Sequence, residues 1–207
     1  LLVPSALAAA IGADLPVCQP VGSLMVDIGG GRTDVAVTSL GGIVVRRSVQ
    51  IAGDELDAAI VAWARRKHGV LLGERTAERL KIHIGGVGRV QQKQMRVRGR
   101  DLRGGSPKEL ELTTEDIAEA LADVVSQIRA AVASALKETP PELSADILDR
   151  GMMLAGGSSA IRGLGQLLRE DTELPVLSPE EPAHCVVRGA ARLLEDTALF
   201  ERITASG

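Results

Sequence analysis

The sequence predicts an α/β fold, and three observations carry that prediction. Short runs rich in β-branched residues stand together at 24–28, 34–40 and 43–51, with a triple glycine after the first and Gly41-Gly42 after the second. A similar run at 151–155 also leads into glycines, Gly156 and Gly157. Between the two pieces lies a stretch, 53–149, whose apolar residues recur mainly at helical spacing, interrupted by one hairpin pattern. Strand-and-glycine pieces flanking a helix-rich insertion fit a sheet core with helices packed on it. The 207 residues suit one large domain or two small ones, since a domain takes roughly 100–200 residues.

Taken in order, Leu7 to Gly12 reads as the end of a helix with glycine at its C-cap. Leu24 to Ile28 is a short apolar strand; Asp34 to Leu40 alternates through Val35 and Val37; Ile43 to Ile51 returns after the Gly41-Gly42 turn. Asp54 to His68 places Leu56, Ile60 and Trp63 at helical spacing. Glu74 to Ile84 is a second helix, closed by Gly85-Gly86-Val87-Gly88. Residues 94–112 alternate around Met95, Val97, Leu110 and Leu112, with a hairpin turn at 104–107. Thr113 and Thr114, followed by Glu115 and Asp116, open a long helix reaching about Lys137. The hydroxyls cap free N–H groups and the acids suit the positive helix end. Pro140-Pro141 breaks that helix, and Leu143 to Asp149 forms a short one. Gly151 to Ala155 is a strand, Ile161 to Arg169 a helix, Pro175 to Leu177 a strand and Cys185 to Asp196 the final helix.

Composition excludes several classes. Hydrophobic residues make up 45% and charged residues 25%, enough apolar side chain to offset chain entropy, so the chain is not disordered. No apolar run approaches the roughly 18 residues of a membrane span. No secretory signal is visible, and the chain opens on Leu1 rather than Met. The net charge of −3 exerts no pull toward nucleic acid. Trp63 and Phe200 are the only Phe, Tyr or Trp residues, too few for a base-stacking platform. Cys18 and Cys185 lack a CxxC spacing and fit core thiols in a reducing, cytoplasmic setting.

The sharpest motif is Asp27-Ile28-Gly29-Gly30-Gly31-Arg32-Thr33-Asp34, set between two strands. Three glycines let backbone N–H groups approach an anion without a Cβ in the way. Asp27, at the end of its strand, can hold Mg²⁺ through water, because Mg²⁺ keeps several of its waters. A plain glycine turn needs no acid before it, so phosphate binding is the favoured reading. No helix follows the glycines, which separates this loop from Walker and dinucleotide motifs. Leu154 to Ile161 is a strand, Gly156-Gly157-Ser158, then a helix start; alone it is an ordinary βα turn. Glu78 and Lys81 share a helix face, and alone they read as a solvated ion pair. Arg96, Arg98, Arg100 and Arg103 read as a solvated or subunit-contacting hairpin edge. His68, His83 and His184 have no ligand companions, and Trp63 reads as core.

The order of these elements resembles the actin-like ATPase superfamily, and one branch matches far more closely. Residues 24–55 (LMVDIGGGRTDVAVTSLGGIVVRRSVQIAGDE), 71–85 (LLGERTAERLKIHIG), 96–103 (RVRGRDLR) and 139–164 (TPPELSADILDRGMMLAGGSSAIRGL) are similar to the bacterial actin MreB family. IGADLPV at 11–17 fits the segment before the glycine loop, and the likeness runs from about residue 7 to about 195. The resemblance implies the second lobe of an actin-like, ribonuclease H-like fold. Residues 1–17 would end the interlobe connecting helix, 18–52 and 150–180 form the sheet core, and 53–149 form an inserted helix-rich subdomain. The helix in 181–207 would return toward a first lobe. By position, Asp27 and Gly29, Gly30 and Gly31 resemble the second phosphate loop. Gly156, Gly157 and Ser158 resemble the adenosine loop, and Glu78 and Lys81 occupy adenine- or ribose-contacting positions.

The same resemblance implies ATP and Mg²⁺ as cofactors and a cytoplasmic filament subunit, with or without membrane association, that sets cell shape. Its implied partners are further copies of itself, head to tail, and the cell-wall elongation machinery at the membrane; no nucleic acid is implied. The alternative is a degenerate, non-hydrolysing paralogue serving as an interaction or capping module. A sugar kinase of the same superfamily would need a catalytic Asp beside a sugar pocket, and the MreB-type blocks argue against it. Four departures from the family pattern bear on chemistry. The first phosphate loop is outside this sequence. Val3-Pro4-Ser5-Ala6 stands where the family keeps Glu-Glu-Pro, whose acid positions the attacking water. Arg32 replaces a typical Thr, and Ser158 a usual Gly.

Head-to-tail contacts grow only when each subunit presents both complementary faces. Losing half of an interface of about 1,600 Å² would leave one of weak-encounter size. The 207-residue chain alone with Mg-ATP is therefore expected to give monomers or disordered aggregates in electron micrographs. Regular protofilaments would show that this part suffices.

Overall fold

The computed structural model describes residues 2–205. The chain runs α1 (Ser5–Gly12), β1 (Ser23–Ile28), β2 (Thr33–Ser39), β3 (Gly42–Val49), α2 (Gly53–His68), β4 (Val70–Leu71) and α3 (Glu74–Ile84). It continues through β5 (Gln94–Asp101), β6 (Pro107–Thr113), α4 (Thr114–Glu138), α5 (Pro141–Arg150) and β7 (Met152–Ala155). It closes with α6 (Leu164–Thr172), β8 (Val176–Leu177), α7 (Cys185–Glu195) and α8 (Thr197–Ala205).

A five-stranded mixed sheet, in the order β3-β2-β1-β7-β8, organises the chain. β1 is its spine, antiparallel to β2 and parallel to β7, and it is buried along its whole length. Its side chains alternate between faces, as a strand requires. Leu24, Val26 and Ile28 enter the apolar cluster containing α2 and α4, whereas Met25 enters the cluster containing α1 and α7. Asp27 follows Met25 by two and shares its face. In the parallel pair Asp27 lies beside Ala155, so the chain leaves β1 and β7 at the same sheet edge. Both glycine loops therefore emerge together, at the carboxyl ends of parallel strands, where open α/β sheets hold ligands.

One apolar core runs through the sheet and the 53–149 segment alike. Leu56, Ile60 and Trp63 of α2 and Ile117, Leu121 and Ile128 of α4 pack with Val35 and Val37 of β2. α4 starts on a reciprocal cap: Thr113 Oγ1 accepts from Asp116 N–H at 3.3 Å, and Asp116 Oδ2 accepts from Thr113 N–H at 3.0 Å. That matches the Thr-rich start read from sequence. A second sheet, β4-β5-β6, carries the basic edge, where Arg96 and Arg98 pair with Glu111 and Glu109 across the hairpin. Both pairs are exposed to solvent. Cys18 and Cys185 are both free thiols.

α1 lies between the sheet and α7 and is buried from Ala6 to Gly12. The crossing is close because both helices offer glycine there. A Cβ on Gly12 would stand 1.9 Å from the Cys185 carbonyl oxygen, and one on Gly189 would stand 1.8 Å from that of Ala8. Arg192 Nη1 donates to the Ile11 carbonyl at 2.7 Å, satisfying an end group of α1.

Four local readings differ from the structure. The tight turn uses Leu40 and Gly41, at φ 51° and 84°, rather than Gly41-Gly42. Two positive φ values match the twist of the flanking strands. α6 begins at Leu164 instead of Ile161, because Gly157–Ala160 form a separate short 3₁₀ turn. The two-residue strand β4 has too few residues to show a period. The single C-terminal helix expected in 181–207 is α7 and α8, broken at Asp196, whose Oδ1 accepts from Leu199 N–H at 2.9 Å and caps α8.

Gly189→Leu is expected to destabilise the chain by about 3 kcal/mol or more through overpacking against the α1 backbone. Val187→Ala, on the exposed side of the same helix, should change stability by about 0.5 kcal/mol or less. Urea unfolding midpoints of the two variants check this.

Candidate functional site

The two glycine loops meet. Ser158 Oγ donates to the Gly29 carbonyl at 2.8 Å, joining positions 129 residues apart in sequence. The amino end of α2 docks on the same turn: Gly53 N–H donates to Gly29 O at 3.2 Å and Asp54 N–H to Gly30 O at 2.8 Å. The loop folds back through Gly29 N–H to Arg32 O at 2.9 Å, and the N–H groups of Gly30 and Gly31 have no backbone acceptor among the described residues. Gly156 adopts φ 87°, and a Cβ there would lie 2.2 Å from the Ile28 carbonyl oxygen and 2.6 Å from Asp27 Oδ1. Only glycine lets the second loop approach the first this closely.

α3 supplies the next wall. Lys81 Nζ donates to Gly53 O at 2.9 Å and to Asp57 Oδ2 at 2.7 Å. The plain reading of Glu78 and Lys81 as a helical ion pair is thus replaced by a Lys81–Asp57 bridge between α3 and α2. Glu78 is exposed and lines the same cleft, of about 340 Å³, with Lys81, Gly29, Gly30, Gly157 and Ser158. Arg162 fixes the far end of α3, donating to the carbonyls of Ile84 at 2.8 Å and Gly85 at 2.9 Å.

A second cavity, of about 440 Å³, shares Gly29 and Gly30 with the first and is lined also by Ser5, Asp27, Gly31, Arg32 and Asp34. Asp27 and Asp34 face each other as β1–β2 partners. Their electrostatics diverge. Burial, with the Asp34 charge adding to it, pushes the Asp27 carboxyl up to about 6, against the pull of Arg32. Burial also opposes ionisation of Asp34, but bonds from Ser48, Ser5 and Arg46 and the Arg32 charge outweigh it and hold that carboxyl low. Arg32 Nε stands 2.8 Å and Arg46 Nη2 3.2 Å from the Asp34 oxygens, and Ser5 Oγ donates to Asp34 Oδ2 at 2.9 Å.

The structure thus brings all nine sequence-derived residues, Asp27, Gly29, Gly30, Gly31, Glu78, Lys81, Gly156, Gly157 and Ser158, to one continuous region. It adds residues that sequence reading missed. Asp54 and Asp57 carry no site signal in the sequence; the packing of α2 on the loop and on α3 reveals them. Asp34 carried the expected motif's last letter, but its partners Ser5 and Arg46 come from other elements.

The arrangement suits a phosphorylated ligand with a cation. Free glycine N–H groups suit phosphate oxygens. Among the described residues Asp27 has no hydrogen-bond donor or ion-pair partner within bonding distance, and carboxylate oxygens are the donor chemistry that hard cations take. No group of three or more His, Cys, Asp or Glu residues at metal distance occurs among the described residues. Asp27 with ligand phosphates and waters is the fitting set for Mg²⁺.

Comparison with known proteins follows the same line. The family model for MreB/Mbl protein matches residues 1–202. The chain is 47% identical over 195 residues to cell shape-determining protein MreB of Escherichia coli (strain K12), covering 94% of this chain and 56% of that protein. It is 44% identical over 189 residues to cell shape-determining protein Mbl of Bacillus cereus, covering 91% and 57%. The crystal structure of MreB5 of Spiroplasma citri bound to ADP superposes with a TM-score of 0.92 at 34% identity, over 97% of this chain and 61% of that one. The MamK double helical filament gives 0.77 at 25% identity, over 94% and 59%. The chain therefore has the actin-like fold and spans little more than half the length of the curated relatives it matches. With a family model matched over residues 1–202 and close identity to both of its named kinds, the chain belongs to the MreB/Mbl family.

Proposed function

We propose that this chain is the part of an MreB-type bacterial actin that binds one side of a nucleotide, within an ATP-dependent filament subunit that determines cell shape. The convergence of both glycine loops and of α3 on one cleft carries this reading, through the Ser158–Gly29 bond. A solved relative bound to ADP, and again to AMPPNP, supports it, as does a filament-forming neighbour. The close identity to cell shape-determining proteins favours a filament subunit over a degenerate capping module. In this reading the sheet pieces 18–52 and 150–180 are the lobe core, 53–149 is its inserted subdomain, and 1–17 is the end of the interlobe helix. The cell-wall elongation machinery at the membrane is the partner of the assembled filament, in the cytoplasm. No helix among the described residues is long and apolar enough to cross a membrane.

The division of labour follows from the two cavities. Glu78, Lys81, Gly157 and Ser158 hold the nucleoside end. Gly30 and Gly31 offer N–H groups to the phosphates crossing between the cavities. Asp27, through water, would hold Mg²⁺, which when bound neutralises phosphate charge. Residues 3–6 offer no carboxylate to orient an attacking water. Ser5 takes no such role, since its hydroxyl donates to Asp34 and accepts from Arg32 Nη2 at 3.1 Å.

Two outcomes are expected. Ionising Asp27 costs the native state stability, because its folded pKa lies above the unfolded value of 3.8. The protonated form's advantage is complete below that value and is lost as pH rises through about 6. Asp27→Asn should therefore raise urea stability at pH 8 by about 1–3 kcal/mol and by much less at pH 4, while weakening Mg-ATP binding in calorimetry. Equal nucleotide affinity in both proteins would remove Asp27 from the site. Phosphate release in a single turnover should be about 10²–10⁴ times slower than in a relative that keeps the acid. A matching rate would show that another residue supplies that role.

A further inference from the structure

The phosphate end of the cleft contains a cation that the reading above leaves without a task. Arg32 follows the three glycines and lines the cavity of about 440 Å³ with Gly29, Gly30, Gly31 and Asp27. Its side chain is 48% exposed, yet it is held at two points: Nε lies 2.8 Å from Asp34 Oδ2, and Nη2 donates to Ser5 Oγ at 3.1 Å. The third nitrogen of the fork, Nη1, has no hydrogen-bond partner among the described residues. A guanidinium is planar, so fixing two nitrogens fixes the direction of the third.

Neutralising Asp34 does not require Arg32. Arg46 already reaches the other Asp34 oxygen at 3.2 Å, and Asp34 is 98% removed from solvent in a shell of hydroxyl and guanidinium donors. Two guanidinium groups share the one carboxylate of Asp34, while the second carboxylate at this end, Asp27, acts on Arg32 through its charge alone. The facing carboxylate, Asp27, has no hydrogen-bond donor among the described residues and belongs to the cation position. The nucleoside end of the cleft is marked by Glu78 and Lys81, and the two cavities join at Gly29 and Gly30. Arg32 thus lies on the opposite side of Gly29 and Gly30 from Glu78 and Lys81.

We propose that Arg32 recognises the terminal phosphate of a bound nucleoside triphosphate, held ready for it by Asp34 and Ser5, and so sets a preference for triphosphate over diphosphate. This rests on the nucleotide reading given under Proposed function. A charge-assisted bond from a pre-oriented guanidinium strengthens binding of the group it meets by about tenfold or more. A diphosphate that ends one group short does not gain it. Ser5 and Asp34 are positioning residues: they act through Arg32 and touch no phosphate.

The test is calorimetric titration of the full chain with Mg-AMPPNP and with Mg-ADP, for the unaltered protein, Arg32→Gln and Ser5→Ala. Arg32→Gln should weaken AMPPNP binding by about tenfold or more and ADP binding by about threefold or less. Ser5→Ala, which keeps the charge and loosens its hold, should shift the ratio the same way by a smaller factor. Circular dichroism and thermal melting accompany each variant. If Arg32→Gln fails to fold, the Ser5→Ala ratio decides: an unchanged ratio overturns the proposal. Equal losses for both nucleotides, or no loss for either, overturn the role of Arg32 while leaving the nucleotide site intact. An unaltered chain that binds neither nucleotide overturns the site reading and this proposal with it.

Discussion

The parallel register of β1 against β7 is the constraint on which the rest depends. It sets Asp27 beside Ala155, so chain segments more than a hundred residues apart in sequence turn into glycines at one sheet edge. That register is held by burial on both faces. Leu24 and Val26 on one side and Met25 on the other are each 1% exposed or less. A slip of one residue would exchange these faces and place Asp27 in the core of α2 and α4. The cost of burying an unpaired carboxylate among aliphatic side chains makes that slip prohibitive. The same strand residues that stabilise the sheet therefore place the polar group that matters.

At the strand end, two facing carboxylates are treated in opposite ways. Asp34 is supplied with a surplus of donors and is held low; Asp27 is supplied with none among the described residues, and burial raises it toward neutrality. Separation of this kind marks different tasks for chemically equal groups. Asp34 organises the protein's own Arg32, Arg46 and Ser5. Asp27 keeps its oxygens available for something brought from outside. Burial makes ionised Asp27 a stability cost in the sheet, the kind of cost that a functional role under the proposed reading would account for.

How much of this was legible depended on the range of each interaction. Local rules sufficed for the Thr113 cap, for Leu56, Ile60 and Trp63 on one helix face, and for the hairpin at 94–113. The glycine loop stood out as a candidate phosphate site because an acid precedes three glycines. The Gly156 loop was not, on its own: its meaning lies in the 2.2 Å that a Cβ would leave to the Ile28 carbonyl oxygen, a distance that no local pattern contains. Lys81 illustrates the same limit. Spacing offered it Glu78 as a partner, whereas tertiary packing gave it Asp57 and the Gly53 carbonyl. α8 escaped because its apolar residues, Leu199, Phe200 and Ile203, make sense only against the α1 cluster.

α1 connects these two levels. Its last turn is pressed against α7 at backbone contact distance, with Gly12 and Gly189 leaving no room for a side chain. Its first residue, Ser5, lines the cavity of the glycine loop and bonds both Asp34 and Arg32. A helix of eight residues is about 12 Å long and rigid at that scale. Its position over Asp34 is therefore set at the far end, by how closely α7 packs. Close packing of this kind admits discrete arrangements rather than gradual sliding. The small residues of α1 thus do two jobs with one geometry: they bring α7 close enough to bury the helix, and they fix where Ser5 stands relative to the charges it orders.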